Sequence, residues 1–268
     1  MTKQSVFNRS KRCRTSATLL GFCYFATLLL SGCGPQTDNE AEAEPSQDVD
    51  EQSVVSLAPD LQVDDVAFLT QLSLIQGHLL AGYELYRQDL PSLAETHMKH
   101  PGEEIYSGLM PAFATRGCQD FGSDLIALSN AVEDRQTMAD FNRIFTGLDA
   151  NIEACSAVVD QRQETVLAVI RNLLVTADEE YAIGIVDGTL VNLHEYQDAW
   201  GFVQIANRWT HARVFAKNQA STAMAEAVRT AIESLESLFP SLNPNDVSKL
   251  SNERFADVVA VVDGFANQ

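Results

Sequence analysis

The five histidines of this chain are the side chains best suited to chemistry, and the chemistry they suit is metal binding. They are His78, His97, His100, His194 and His211. His97 and His100 form a His-x-x-His pair that is followed closely by the carboxylates of Glu103 and Glu104. Because residues three apart share one face of a helix, both imidazoles can bind one ion. With oxygen from Glu104 or Glu103, the set suits Zn, Cu, Fe or Mn. The alternative is a loop whose histidines cap helix ends.

A second group of polar residues recurs at helical spacing in the pattern from 178 to 217. Its members are separated by seven, seven and four positions: Glu180, Asp187, His194 and Asp198. Such a stripe is the solvent face of many amphipathic helices. Gly184 and Gly188 lie near it, and a glycine inside a helix costs about 1 kcal/mol. The glycines therefore favour close packing on this face, where His194 would supply a ligand from within a bundle.

The third candidate is His78, which follows an apolar run on the first predicted helix. A histidine in that position is either a ligand or a hydrogen-bonded core residue. Gly77-His78 together with Glu84 resembles the Gly-x-His-x-x-Glu element of imelysin and related periplasmic iron-uptake proteins. Here the glycine adjoins the histidine, and the glutamate follows it by six positions. The resemblance implies a metal-associated helical bundle that is exported or lipid-anchored.

The elements that must position these residues are predicted to be helices. Apolar residues recur at threes, fours and sevens, and no convincing alternating strand series appears. Pro and Gly break 88–125 into several short helices, and Gly117 reads as a helix stop. Longer helices are predicted over 64–87, 137–159, 163–177, 178–217, 219–239 and 251–264, with Asp64 or Asp65 as the first N-cap. The fold class is therefore an all-α helical bundle with antiparallel neighbours.

The N-terminal 32 residues form a secretory signal. They hold five basic residues and no acidic one, followed by an apolar run from about 17 to 30. The run is short for a spanning helix, which needs about 20 apolar residues. Leu30-Ser31-Gly32-Cys33 resembles the lipobox of bacterial lipoproteins, which implies cleavage before Cys33 and acylation of that residue. Gly34 in place of an aspartate implies the outer membrane, on its periplasmic face, over the inner membrane. The alternative is an uncleaved N-terminal anchor.

The charge that remains after the signal is strongly acidic. Five of the 18 Lys and Arg residues lie in 1–32, so the rest carries 13 against 37 Asp and Glu, a net charge of −24. Nucleic acid is an unsuitable partner, because its binding depends on basic residues that neutralise phosphates. The electrostatic field of this negative charge favours metal ions, cationic ligands or basic proteins as partners. The alternative is that the acidic residues only keep the protein soluble. Residues 33–61 contain the lipidated cysteine and an acidic, Pro-containing segment, which predicts a disordered tether. The helical periplasmic domain is then 62–268.

Cysteine usage fits an oxidising compartment. Two cysteines lie in the signal and Cys33 is the predicted lipid attachment site, which leaves Cys118 and Cys155. This pair predicts a disulfide that closes a loop of about 38 residues, and such a bond contributes about 3–4 kcal/mol. The alternative is two separate buried thiols.

These observations favour an envelope lipoprotein whose helical domain binds a transition-metal ion. The candidate ligands are His78, His97, His100, Glu104 and His194. The alternative function is a scaffold lipoprotein of the envelope that binds a protein partner and has no small-molecule site. Nothing in the sequence pairs a nucleophile with a base, so a non-enzymatic role is favoured.

Overall fold

Helices make up most of the computed structural model, which describes residues 59–244 and 253–266. The α-helices are α1 Asp65–Arg87, α2 Pro91–His100, α3 Tyr106–Arg116, α4 Gly122–Glu133, α5 Met138–Ser156, α6 Gln163–Gly184, α7 Leu193–Trp209, α8 Gln219–Glu233 and α9 Glu253–Ala266. A π-helical turn, Pro101–Ile105, joins α2 to α3, and 3₁₀ turns cover Arg213–Lys217 and Ser234–Leu238. The all-α prediction is confirmed. The predicted signal, Cys33 and most of the tether lie outside the described residues. None of the helices in this part of the chain is long and apolar enough to cross a membrane.

Helix α1 is the central element of the bundle. It begins as predicted, because the Asp64 side chain accepts a hydrogen bond of 2.9 Å from the backbone N–H of Ala67. Its middle turns are buried on every side, since residues 72–79 are all buried, although polar side chains such as Ser73, Gln76 and His78 are among them. A helix buried all round needs neighbours all round. Helices α2, α5, α6 and α7 supply them.

The predicted helix over 178–217 is wrong, because a β-hairpin interrupts it. Strands Ile185–Val186 and Thr189–Leu190 pair antiparallel, with Ile185 opposite Leu190. The turn residues Asp187 and Gly188 have φ values of 51° and 72°. An Asp-Gly pair with both φ values positive makes the two-residue turn that suits the twist of a hairpin. Residues 180 and 198, placed on one stripe by the sequence, therefore lie on different helices, α6 and α7.

Helices α1 and α7 cross at two glycines. A Cβ added to Gly201 would collide with the backbone carbonyl of Gly77, and one added to Gly77 would collide with Phe202. Only hydrogen atoms fit between the two backbones at this point. The contact brings residue 78 of α1 next to residue 198 of α7.

A disulfide joins Cys118 to Cys155, with the two Cα atoms 5.0 Å apart. Cys118 follows Gly117, which ends α3 with a left-handed φ of 74°, the helix stop that the sequence predicts. Cys155 lies in the last turn of α5. The bond ties the segment between α3 and α4 to the end of α5.

Candidate metal centre

Three side chains from three helices converge at the contact of α1, α2 and α7. They are His78 of α1, His100 of α2 and Asp198 of α7, and one ligand atom of each lies within 4.8 Å of the others. His78 and Asp198 are buried, while His100 is partly exposed. An ion that shared these atoms would sit at about 2.0–2.2 Å from each.

Asp198 is the centre of the group and is fully buried. Its Oδ1 accepts hydrogen bonds from Nδ1 of His78 at 2.6 Å and from Nδ1 of His97 at 2.8 Å. Its Oδ2 has no hydrogen-bond partner among the described residues. Burial alone would raise the pKa of this carboxyl, but the charge and hydrogen bond of His78 and those of His97 hold it well below its ordinary range. Asp198 is therefore a carboxylate with one oxygen free to bind a cation.

His97 occupies a different place from the one predicted for it. Its Nε2 lies 2.8 Å from Oε1 of Gln197, whose Nε2 donates to the carbonyl of Leu242 at 2.6 Å. That second bond fixes the amide orientation, so both partners of the His97 ring are acceptors. Both ring nitrogens must therefore donate, which makes the buried ring an imidazolium. Burial lowers its pKa, but the hydrogen bond and charge of Asp198 outweigh that effect and raise it overall. Because both ring nitrogens are already hydrogen-bonded, His97 has none left to bind a metal ion. Its role in this arrangement is to hold Asp198 in place.

His194 lies beside the three converging residues. It is in the first turn of α7, where Asn192 caps the helix by accepting from the N–H of His194 at 3.1 Å. The ring centroids of His194 and His97 are 5.6 Å apart. Burial and the positive charge of His97 lower the pKa of His194. Its Nδ1 is buried without a partner in the described part of the chain. His194 is thus a neutral imidazole near the centre, available as a further ligand.

A pair of carboxyl groups borders the centre where α6 faces α7. Glu180 of α6 is hydrogen-bonded to Glu195 of α7. Burial, the charge of Glu195, its hydrogen bond and the charge of Asp198 raise the pKa of Glu180 to about 8. Two carboxylates in contact cannot both ionise cheaply, so the pair holds one proton at neutral pH.

The other residues proposed from the sequence lie elsewhere. Glu104 is exposed on the π-helical turn and is absent from the converging group. Glu84 accepts a hydrogen bond of 2.9 Å from Nε of Arg87, and Asp187 lies in the hairpin turn. Asp198 entered the sequence analysis only as a member of the stripe. The signal for its role was the pair of glycines inside predicted apolar helices, Gly77 and Gly201.

Comparison with known proteins gives one partial match. Residues 156–263 match the family described as the iron permease-associated 4-helix bundle domain. This segment is less than half of the chain and runs from the last residue of α5 into α9, so it contains α6, α7 and α8 whole. No curated protein and no solved structure matches the chain. Of the three converging residues, the matched segment supplies only Asp198, while the two histidines come from α1 and α2.

Proposed function

We propose that this chain is a lipid-anchored envelope protein whose helical domain binds one transition-metal ion through His78, His100 and Asp198. The observation that carries the proposal is the convergence of three ligand atoms, one from each of these residues. One of the three residues is a buried carboxylate whose second oxygen has no hydrogen-bond partner among the described residues. Two imidazoles and one carboxylate form the mixed nitrogen and oxygen set that suits Fe, Zn, Cu or Mn. His194 is the nearest further ligand.

The charges around the centre support a cation as its occupant. The chain has a net charge of −19, and a field of that sign raises the local concentration of cations. The His97 imidazolium offsets the charge of Asp198, so the carboxylate is paired even without an ion. An arriving ion must replace protons on its ligands, which makes binding stronger as pH rises.

The partial family match favours iron over the other metals. The matched family is described as iron permease-associated. We therefore propose a role in iron handling in the envelope, with an iron permease as the protein partner. Binding and transfer of the ion need no nucleophile, in keeping with a non-enzymatic role.

Metal titration of the full-length protein in detergent tests this function. Anaerobic calorimetry with Fe(II), and parallel runs with Zn(II), Cu(II) and Mn(II), should give one site per chain. We expect His78→Ala, His100→Ala and Asp198→Asn each to weaken binding by at least about 100-fold, since even loss of an outer-shell partner costs 10–100-fold. His211→Ala, a histidine exposed at the far end of α7, is the matched control. Equal affinities in all four variants would contradict the proposed site. If the wild-type protein binds none of the four metals, the metal-binding function is excluded and the alternative scaffold function is favoured.

Labelling with radioactive palmitate tests the lipid anchor. Cells that express the wild-type chain should incorporate label into it, and the labelled protein should sediment with outer membranes on a density gradient. Cys33→Ala should abolish the label, because the lipobox resemblance assigns acylation to that sulfur. Cys23→Ala, in the predicted signal, is the control and should keep the label. Label that persists in Cys33→Ala would refute the anchor.

A further inference from the structure

A cavity of about 550 Å³ lies at the C-terminal end of α7, away from the metal centre. Its walls come from Gln76 of α1, from the end of α5 and the loop after it, from Arg208 and Trp209 at the end of α7, and from residues 211–213. Arg208 follows Asp198 by ten residues on the same helix, which is about 15 Å along the axis. The volume is within the range of small-molecule sites, about 300–1,000 Å³. This cavity is therefore a separate site with room for a ligand.

Basic side chains are concentrated at this cavity although the chain as a whole is acidic. Arg208, His211 and Arg213 all line it. Arg208 is already paired, with Asp149 at 3.2 Å and Glu153 at 3.6 Å. Arg213 is exposed, and no carboxylate of the described residues lies within 4 Å of its guanidinium. The cavity thus has an unpaired cation at its edge.

The remaining walls combine polar side chains that already have partners with aromatic and apolar groups. Glu153 is paired with Arg208 and accepts a hydrogen bond from Gln76, and Gln161 donates to the backbone carbonyl of Ser156. Trp209 is partly buried, and its indole is held in place because Nε1 donates to Oγ of Ser73 at 2.9 Å. Ala157, Val159 and Ala212 supply small apolar surface. Fixed aromatic and small apolar groups favour a ligand with a non-polar body, while Arg213 favours an anionic group.

We propose that this cavity binds a small organic carboxylate. The carboxylate lies on the Arg213 guanidinium, whose planar fork matches it with two parallel hydrogen bonds. The apolar or aromatic body of the ligand packs against Trp209. The site is independent of metal binding, so it stands or falls separately from the proposed function.

Tryptophan fluorescence of the full-length protein tests the proposal. The chain has two tryptophans, so Trp200→Phe leaves Trp209 as the reporter of the cavity. Titration with cyclohexanecarboxylate, which does not absorb where indole is excited, should give a saturable change in emission at constant ionic strength. The neutral analogue cyclohexylmethanol and inorganic phosphate should give none. Calorimetry on the wild-type chain gives the same readout if Trp200→Phe does not fold.

Two arginine variants decide whether the cavity carries the binding. Arg213→Ala should weaken binding of the carboxylate by at least about tenfold, because it removes the charge-assisted hydrogen bonds that the guanidinium donates to the ligand. Arg143→Ala removes the same charge from an exposed position on α5 and should leave the affinity unchanged. The proposal is overturned by the absence of a saturable signal, by equal binding of phosphate, or by equal losses in the two variants.

Discussion

Asp198 determines the electrostatics of the candidate centre. A fully buried carboxylate is stable only with partners, and here two imidazoles donate to one of its oxygens. The second oxygen accepts no hydrogen bond from the described residues, and this is the atom that we propose binds the metal ion. The four polar side chains around it therefore have distinct tasks. His78 and His100 offer nitrogen, while His97 offers charge and Gln197 fixes its ring.

The protonation of His97 is directly measurable. Both ring nitrogens should carry a proton at neutral pH, because both face acceptors and the pKa is raised. Nitrogen-15 NMR of histidine-labelled protein should show an imidazolium for this residue, assigned by its absence in His97→Gln. A neutral ring with one bare nitrogen at neutral pH would mean that His97 is itself available as a ligand.

The Glu180–Glu195 pair makes the stability of the metal-free protein depend on pH. The folded chain keeps a proton on Glu180 up to about pH 8, while the ordinary pKa is 4.5. Between these values the folded state binds more protons than the unfolded state, so the free energy of unfolding falls as pH rises. The loss is on the order of 1–2 kcal/mol after discounting for the exposed part of the side chain.

Urea denaturation across that pH window measures the effect. Glu180→Gln should flatten the decline, because its amide does not titrate. Glu164→Gln removes an exposed carboxylate from the start of the same helix, where its charge does not act on Glu180, and should follow the wild-type curve. A wild-type curve that rises with pH through the same window would contradict a shared proton.

At the scale of elements, the crossing of α1 and α7 creates the centre. The backbones touch at Gly77 and Gly201, and these contacts set the distance between residues 78 and 198. Any side chain at position 201 pushes the helices apart. The geometry of the site is therefore encoded partly in residues that bear no chemistry.

Gly201→Ala should lower the free energy of unfolding by about 1–3 kcal/mol, which is the cost of overpacking a tight contact. It should also weaken metal binding, because His78 moves away from Asp198. Gly147→Ala is the control: this glycine is exposed in the interior of α5, and an added Cβ meets nothing within 4 Å. It should raise stability by up to about 1 kcal/mol. Identical stabilities of the two variants would argue against the crossing.

The sequence predicts local features of the elements well and their meeting points poorly. The start of α1 at Asp64 and the end of α3 at Gly117 follow from single capping residues. The predicted helix over 178–217 failed because two residues, Asp187 and Gly188, reverse the chain inside an apolar pattern of helical period. Residues 78 and 198 are 120 positions apart, and periodicity carries no information about such a contact. The histidines were identifiable by type, whereas their separate roles depend on the folded geometry.

At the scale of the whole molecule, the centre joins two parts of the chain. Asp198 belongs to the segment that matches the iron permease-associated family, while His78 and His100 precede it. The helices before residue 156 are thus part of the proposed site. They are joined to the rest of the bundle by the packing of α1 against α6 and α7. Among themselves they are held by the disulfide between Cys118 and Cys155.

Loss of that disulfide should destabilise the folded unit as a whole. Cys118→Ser with Cys155→Ser should lower the free energy of unfolding by about 3–4 kcal/mol, since the bond joins residues 37 positions apart and closes a loop of about 38 residues in the unfolded chain. Denaturation of the wild-type protein with and without reductant is the parallel measurement. Free thiols at both positions in protein isolated under oxidising conditions would contradict the bond.

The most direct test of the central claim is the position of a bound ion. Crystals of the metal-loaded protein, measured at the absorption edge of iron or zinc, give an anomalous difference map that locates the ion without assumptions about ligands. We expect one dominant peak at about 2.0–2.2 Å from His78, His100 and Asp198. A map with no peak among these three side chains, or with its dominant peak at other residues, would contradict the proposed metal centre.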